Sequence, residues 1–192
     1  MPITRSTLAR TALAALLVGC ALGTTACQSD SSARATPEER QATLIGRAND
    51  TITLFRTTDS GLSSFFNNAA GYVVFPEVAR GGFVVGASRG DGILFEGGKP
   101  THTATMTAGS IGAQVGGQVF SQIIFFETER ELTMFKEGRF EFDATASAVA
   151  VRAGATAAAS YVRGVAVFVT GERGLMAQAS IGGQKFTATP LR

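Results

Sequence analysis

The stretch GYVVFPEVARGGFVVGASRGDGILFEGG, residues 71–98, marks the point at which the chain changes its period. Tyr72, Val73, Val74 and Phe75 are aromatic or β-branched, and Pro76 ends that run. Residues 83–88 and 93–96 form two further strand-like runs. Arg89-Gly90-Asp91-Gly92 between them has the glycine and aspartate content of a hairpin turn.

Upstream of Gly71 the spacing is helical. Thr36-Pro37-Glu38-Glu39 combines a capping threonine, a proline at the first helical position and a glutamate placed to complete a capping box. Leu44, Ala48, Ile52 and Phe55 follow at spacings of four, four and three, which is one helical face. A second short helix is expected from Thr58 or Asp59, with Leu62, Phe65, Phe66 and Ala69 turned inward and Gly71 as its stop.

Downstream the period is two. Ile111, Ala113, Val115 and Val119 share one side of an extended segment, and Gly112, Gln114, Gly116 and Gln118 share the other. ETERELTMFK, residues 127–136, is a helix inserted between strands. Phe140, Phe142, Ala144, Ala146 and Ala148 alternate with polar residues, and last strands are expected over 165–170 and 175–181. GYVVFPEVARGG at 71–82 is echoed by GVAVFVTGERG at 164–174, so both read as strand, charged turn, strand. The fold class is therefore α+β: N-terminal helices packed on a large, curved, mostly antiparallel sheet or barrel-like domain with one inserted helix.

The first residues announce export. Arg5 and Arg10 accompany the apolar run LARTALAALLV, residues 8–18, which is shorter than the roughly 20 residues needed to span a bilayer. Leu17-Val18-Gly19-Cys20 resembles a lipobox, with acylation of the Cys20 thiol expected. Cys27 after Thr24-Thr25-Ala26 is the alternative anchor, and plain cleavage after Ala26 is a third reading. The expected organisation is a signal peptide over 1–19, a polar tether over 20–35 and one domain over 36–192. Ala21 behind Cys20 points to the periplasmic face of an outer membrane.

Both cysteines of the chain fall at this boundary, which leaves no thiol for chemistry beyond it. Removing residues 1–19 takes away Arg5 and Arg10. The 17 Lys and Arg then become 15, equal to the 15 Asp and Glu, so broad electrostatic binding to nucleic acid is disfavoured.

Three segments in order resemble one family. Residues 71–98, TMTAGSIGAQVGGQVFSQIIFFETERELTMF at 105–135 and RGLMAQASIGGQKF at 173–186 are similar to the conserved core of the SYLF domain. The resemblance implies a lipid-binding module without catalytic residues, in a branch of exported bacterial proteins. Fungal members bind actin, a partner closed to an exported chain, so membrane phospholipid is the partner carried over. An envelope protein docking on the sheet is the alternative.

Little else in the chain carries chemistry. His102 is the single histidine and alternates with Ala104, Met106 and Ala108, which places it as a strand residue without a paired nucleophile. No cluster of ligands predicts a metal or another cofactor. Gly112 to Gly117 lacks the Lys-Ser/Thr of a phosphate loop. Glu127, Glu129 and Glu131 with Arg130 read as a solvated helix face. Arg80, Arg89 and Lys99 at strand ends or turns of the first unit, with Arg173 and Lys185 of the second, form a candidate rim for lipid phosphate. Phe83 and Phe95 would lie near acyl chains.

Overall fold

The computed structural model describes residues 35–83, 85–111, 116–142, 147–171, 178–180 and 183–191. Helix α1 spans Pro37–Thr58, and its start is built as the sequence predicts. The Thr36 hydroxyl accepts the Glu39 N–H at 3.2 Å, and the Glu39 carboxylate accepts the Thr36 N–H at 2.8 Å. Its buried residues, Ala48, Thr51 and Phe55, lie on one face.

Helix α2, Leu62–Asn68, starts later than Thr58 or Asp59. The reason is Asp59, whose carboxylate leaves the helical register to accept the Gly61 N–H and both the N–H and hydroxyl of Thr156. That ties the turn between the helices to a 3-10 turn at Ala155–Ala158, almost a hundred residues away.

Burial pushes the Asp59 carboxyl up. The hydrogen bonds from Thr156, Gly61 and the Gly154 backbone together outweigh it and hold the pKa below its ordinary value. A depressed folded pKa contributes stability that is complete above the unfolded value of about 3.9 and lost as pH falls through the folded one. Asp59→Asn is therefore expected to cost about 1–2 kcal/mol at neutral pH and to flatten the acid limb of the stability profile. Thermal unfolding of both proteins between pH 6 and pH 3 reads the two slopes, and parallel slopes would remove Asp59 from the account.

The strands are β1 Gly71–Phe83, β2 Val85–Glu96, β3 Lys99–Ile111, β4 Gly116–Phe126, β5 Ser147–Ala150, β6 Val165–Gly171, β7 Gln178–Ser180 and β8 Gln184–Pro190. Helix α3, Glu129–Lys136, is the inserted one. The sheet order is β7-β5-β6-β4-β1-β2-β3-β8, antiparallel except between β5 and β6. Its ladder is open, yet it curls strongly. Residues 141–142 bond to β8 through the Glu141–Lys185 bridge and the Phe142 N–H to Gln184 C=O bond, although β5, just downstream, lies near the other end.

Both faces of the sheet are buried in its middle, which is why β1, β4 and β6 read as unbroken apolar runs there. Val74, Ile93, Phe95, Ile123, Phe125 and Phe168 pack on the outer face under α1 and α2. Val73, Phe75, Leu94, Met106, Ile124 and Phe186 fill the inner face with Leu132 and Phe135 of α3. Curling also brings Gln122 of β4 within hydrogen-bonding distance of Gln184 of β8, across the interior from a strand four places away in the sheet order.

Pro76 does not end the first strand, since β1 runs through it to Phe83, and three further expectations need correction. Arg89 to Gly92 is no hairpin turn: β1 and β2 pair from Gly71↔Glu96 to Phe83↔Val85, so these residues lie inside β2. Their glycines answer to a bulge in β1 around Pro76, where the ladder shifts register against both neighbours. A Cβ on Gly92 would stand 2.4 Å from the Val74 carbonyl oxygen.

The echo between 71–82 and 164–174 is not structural either. β1 pairs with β2, whereas β6 and β7 flank β5 and do not pair with each other. Finally, Glu131 is buried, with its carboxylate on the Thr128 hydroxyl and the Arg130 guanidinium. That hydroxyl bond lowers its pKa most, against burial, which raises it. Gly164, at φ +78°, is required beside it, since a Cβ there would lie 2.6 Å from the Glu131 carboxyl carbon.

Candidate functional site

Of the five basic residues expected on one rim, the four that are described, Arg80, Arg89, Lys99 and Lys185, are distributed over the sheet. Register decides where each goes. Ala79 pairs with Arg89 and Val119, Arg89 with Thr107, and Thr107 with Lys185. Val119, Ala79, Arg89, Thr107 and Lys185 thus form one row across five strands. All are exposed, because α1 and α2 cover only the part of the outer face nearer Gly71. Two strand spacings separate Arg89 from Lys185, or about 10 Å. Asp91 lies 3.9 Å from Arg89 and Glu141 3.7 Å from Lys185, both as exposed pairs that contribute little to stability.

Arg80 turns the other way. Its Nε lies 3.2 Å from the Ser88 hydroxyl and its guanidinium stands 5.5 Å from the Phe120 ring centroid, on the inner face. Lys99 opens β3 at the opposite end of the sheet, opposite Glu96. Arg173 and both cysteines lie outside the described residues. Phe83 ends β1, and its side chain also lies outside what is described. Phe95 is 1% exposed and stacks on Tyr72 at 5.3 Å, so it offers no surface to an acyl chain.

His102 sits where its alternation with Ala104 and Met106 puts it, at the lower edge of the inner face. Its Nδ1 is 3.0 Å from the Thr101 hydroxyl and 3.7 Å from Glu96, which in turn accepts Lys136 Nζ at 3.1 Å. Burial lowers the histidine pKa against the pull of Glu96, with Lys136 lowering it further. Glu96 itself is raised by burial and lowered by Thr101 and Lys136, with a net fall. The network fastens the end of α3 to the β2–β3 hairpin. Among the described residues no group of three or more His, Cys, Asp or Glu could hold a metal ion.

Sequence reading missed the reciprocal amide pair of Gln122 and Gln184 and the role of Asp59. An isolated glutamine in an apolar strand was the one available signal for the first.

Comparison with known proteins bears on the family. Residues 107–190 match the family described as "Ysc84: Las17-binding protein actin regulator". Beta cell expansion factor A of Aeromonas veronii is 30% identical over 123 residues, 63% of this chain and 46% of that protein. The chain thus spans a little under half the length of this relative. The resemblance to the SYLF domain is borne out as a similarity: residues 107–190, which hold most of the second of the three ordered segments and all of the third, match the Ysc84, or SYLF, family.

Proposed function

We propose that the domain is a non-catalytic lipid-binding module that contacts anionic phospholipid headgroups, carried on an exported chain anchored by acylation at Cys20, with Cys27 the alternative. The observation that carries the headgroup contact is the exposed half of the outer face, where register puts Arg89 and Lys185 in one row with the apolar or neutral Val119, Ala79 and Thr107. A concentration of exposed cations beside small side chains lets a sheet face approach a negatively charged surface closely. Similarity to the SYLF family over residues 107–190 supports the same reading. The exported leader expected over 1–19 and the acyl anchor place such a face beside a bilayer.

Residues 35–192 form one compact unit, and among the described residues its hydrophobic core begins at Leu44, so this unit tests the contact without the anchor. Flotation with vesicles of phosphatidylglycerol and phosphatidylcholine is expected at low salt and to weaken at high salt. Arg89→Ala with Lys185→Ala should reduce it several-fold, while His102→Ala leaves it unchanged. Failure to float with any vesicle would confine membrane association to the anchor and turn attention to an envelope protein as partner.

A further inference from the structure

A groove of about 380 Å³ opens between α2 and the chain at 159–161. Ser64 and Asn68, four residues apart and so on one face of α2, form one wall. Phe65 and Tyr161, with ring centroids 5.4 Å apart, join that wall to the other. Glu127 completes the lining, and two backbone bonds fix its place. Ala70 N–H to Phe126 C=O, at 2.9 Å, ties the end of α2 to the end of β4. The Glu127 N–H bonds the Gly164 C=O at 2.8 Å.

This lining favours a cation. Glu127 is its only charged side chain, is exposed and makes no ion pair with a described residue. No basic residue stands in the last turn of α2, whose carbonyl end also favours positive charge. The Ser64 hydroxyl donates its proton to the Gly61 C=O at 2.8 Å, which leaves its lone pairs to accept. The Asn68 amide and the Ser160 hydroxyl hold no hydrogen bond to another described residue. The Tyr161 hydroxyl is buried without a partner, so packing alone gives no reason for tyrosine over phenylalanine there. Burial raises the Tyr161 pKa most and the Glu127 carboxylate raises it further, which keeps the phenol neutral and leaves Glu127 as the one charge of the groove.

We infer that this groove binds a primary ammonium group, with Glu127 as its counter-ion, Ser64 and Asn68 accepting its N–H bonds and the Tyr161 ring beside it. An ammonium carries three donors and no acceptor, which suits a lining of one carboxylate and neutral oxygens. An aromatic ring within about 6 Å adds to the attraction. The volume lies near the lower end of the roughly 300–1,000 Å³ range of ligand pockets, which favours a small ligand. The inference goes beyond the anionic headgroup contact and does not rest on it, since it uses neither Arg89 nor Lys185. The ammonium could belong to an ethanolamine lipid headgroup or to a free amine, and both share this chemistry.

An NMR titration of residues 35–192 with ethylammonium chloride at constant ionic strength tests it. Saturable shifts are expected at the amides of Asn68, Glu127, Ser160 and Tyr161. Choline, with the same charge and no N–H donor, should bind several-fold more weakly. Glu127→Gln, an exposed change that leaves the fold intact, should weaken ethylammonium about fivefold or more. Tyr161→Leu should weaken it about threefold, with the unfolding temperature as the check on folding. Absence of saturable shifts, full affinity in Glu127→Gln, or choline binding as well as ethylammonium overturns the assignment. Flotation then separates the sources. Extra flotation with phosphatidylethanolamine over phosphatidylcholine alone, lost in Glu127→Gln and kept in Arg89→Ala with Lys185→Ala, names the lipid headgroup. Ethylammonium binding without that extra flotation names a free amine.

Discussion

Gly92→Ala is expected to destabilise the domain by about 3 kcal/mol or more, because its added Cβ meets the closest approach among the described strand glycines. The added Cβ would lie 2.4 Å from the Val74 carbonyl oxygen and 2.7 Å from Cδ1 of Phe75. Neither neighbour can yield. Val74 is a paired residue at the edge of the bulge in β1, bonded to both β2 and β4, and Phe75 is fully buried in the inner cluster. The strand would have to shift away from β1 where Pro76 already withholds an N–H from the ladder. Gly81→Ala and Gly109→Ala supply the contrast. Nothing lies within 4 Å of a Cβ at either position, and both lie in strands with ordinary φ. They should be neutral or gain up to about 1 kcal/mol by restricting the unfolded chain. Urea unfolding of the three variants decides the matter. Equal midpoints for all three would show that β2 can retreat from the bulge, and the account of Gly92 would be wrong.

That contrast also shows where the sequence was readable. Local signals were sufficient wherever a residue acts on its near neighbours. Thr36 and Glu39 announced the start of α1, and the alternation through His102, Ala104 and Met106 announced the inner face of β3. They failed wherever the partner is distant. Arg89-Gly90-Asp91-Gly92 has the composition of a turn, but its glycines are imposed by a bulge at Pro76 in the strand alongside. Glu131 has the pattern of a solvated helix face, yet it is covered by the turn at Gly164, more than thirty residues on. The basic residues illustrate the same limit. Their types pointed to a charged surface, but only register separates Arg89 and Lys185, on one exposed row, from Arg80 on the inner face and Lys99 at the far end.

The amide pair inside the curl is a harder test of the same physics. Gln122 and Gln184 are both 0% exposed, and each donates from Nε2 to the other's Oε1, at 2.9 and 3.1 Å. Satisfied in this way, the two amides lock β4 to β8 across the apolar interior and fix how far the sheet curls. Gln122→Leu or Gln184→Leu alone should cost about 2–3 kcal/mol, because each strands the other amide's donor and acceptor among Phe75, Phe120 and Phe186. The double variant removes both polar groups and fills the space with hydrocarbon. It is expected to lose less than the sum of the single variants, by about 1–3 kcal/mol of coupling. Chemical unfolding of the four proteins gives that coupling directly. Strict additivity would mean that the glutamines do not depend on each other, and the curl would then be held by the aromatic cluster and the backbone bonds of Phe142 to Gly183 and Gln184. The double variant carries a second prediction through its shape. With the amides gone nothing polar fixes the separation of β4 and β8, so a looser interior in a double variant that still folds, seen as faster exchange of the Phe120 and Phe186 amides, would place the specificity of the curl in this one pair.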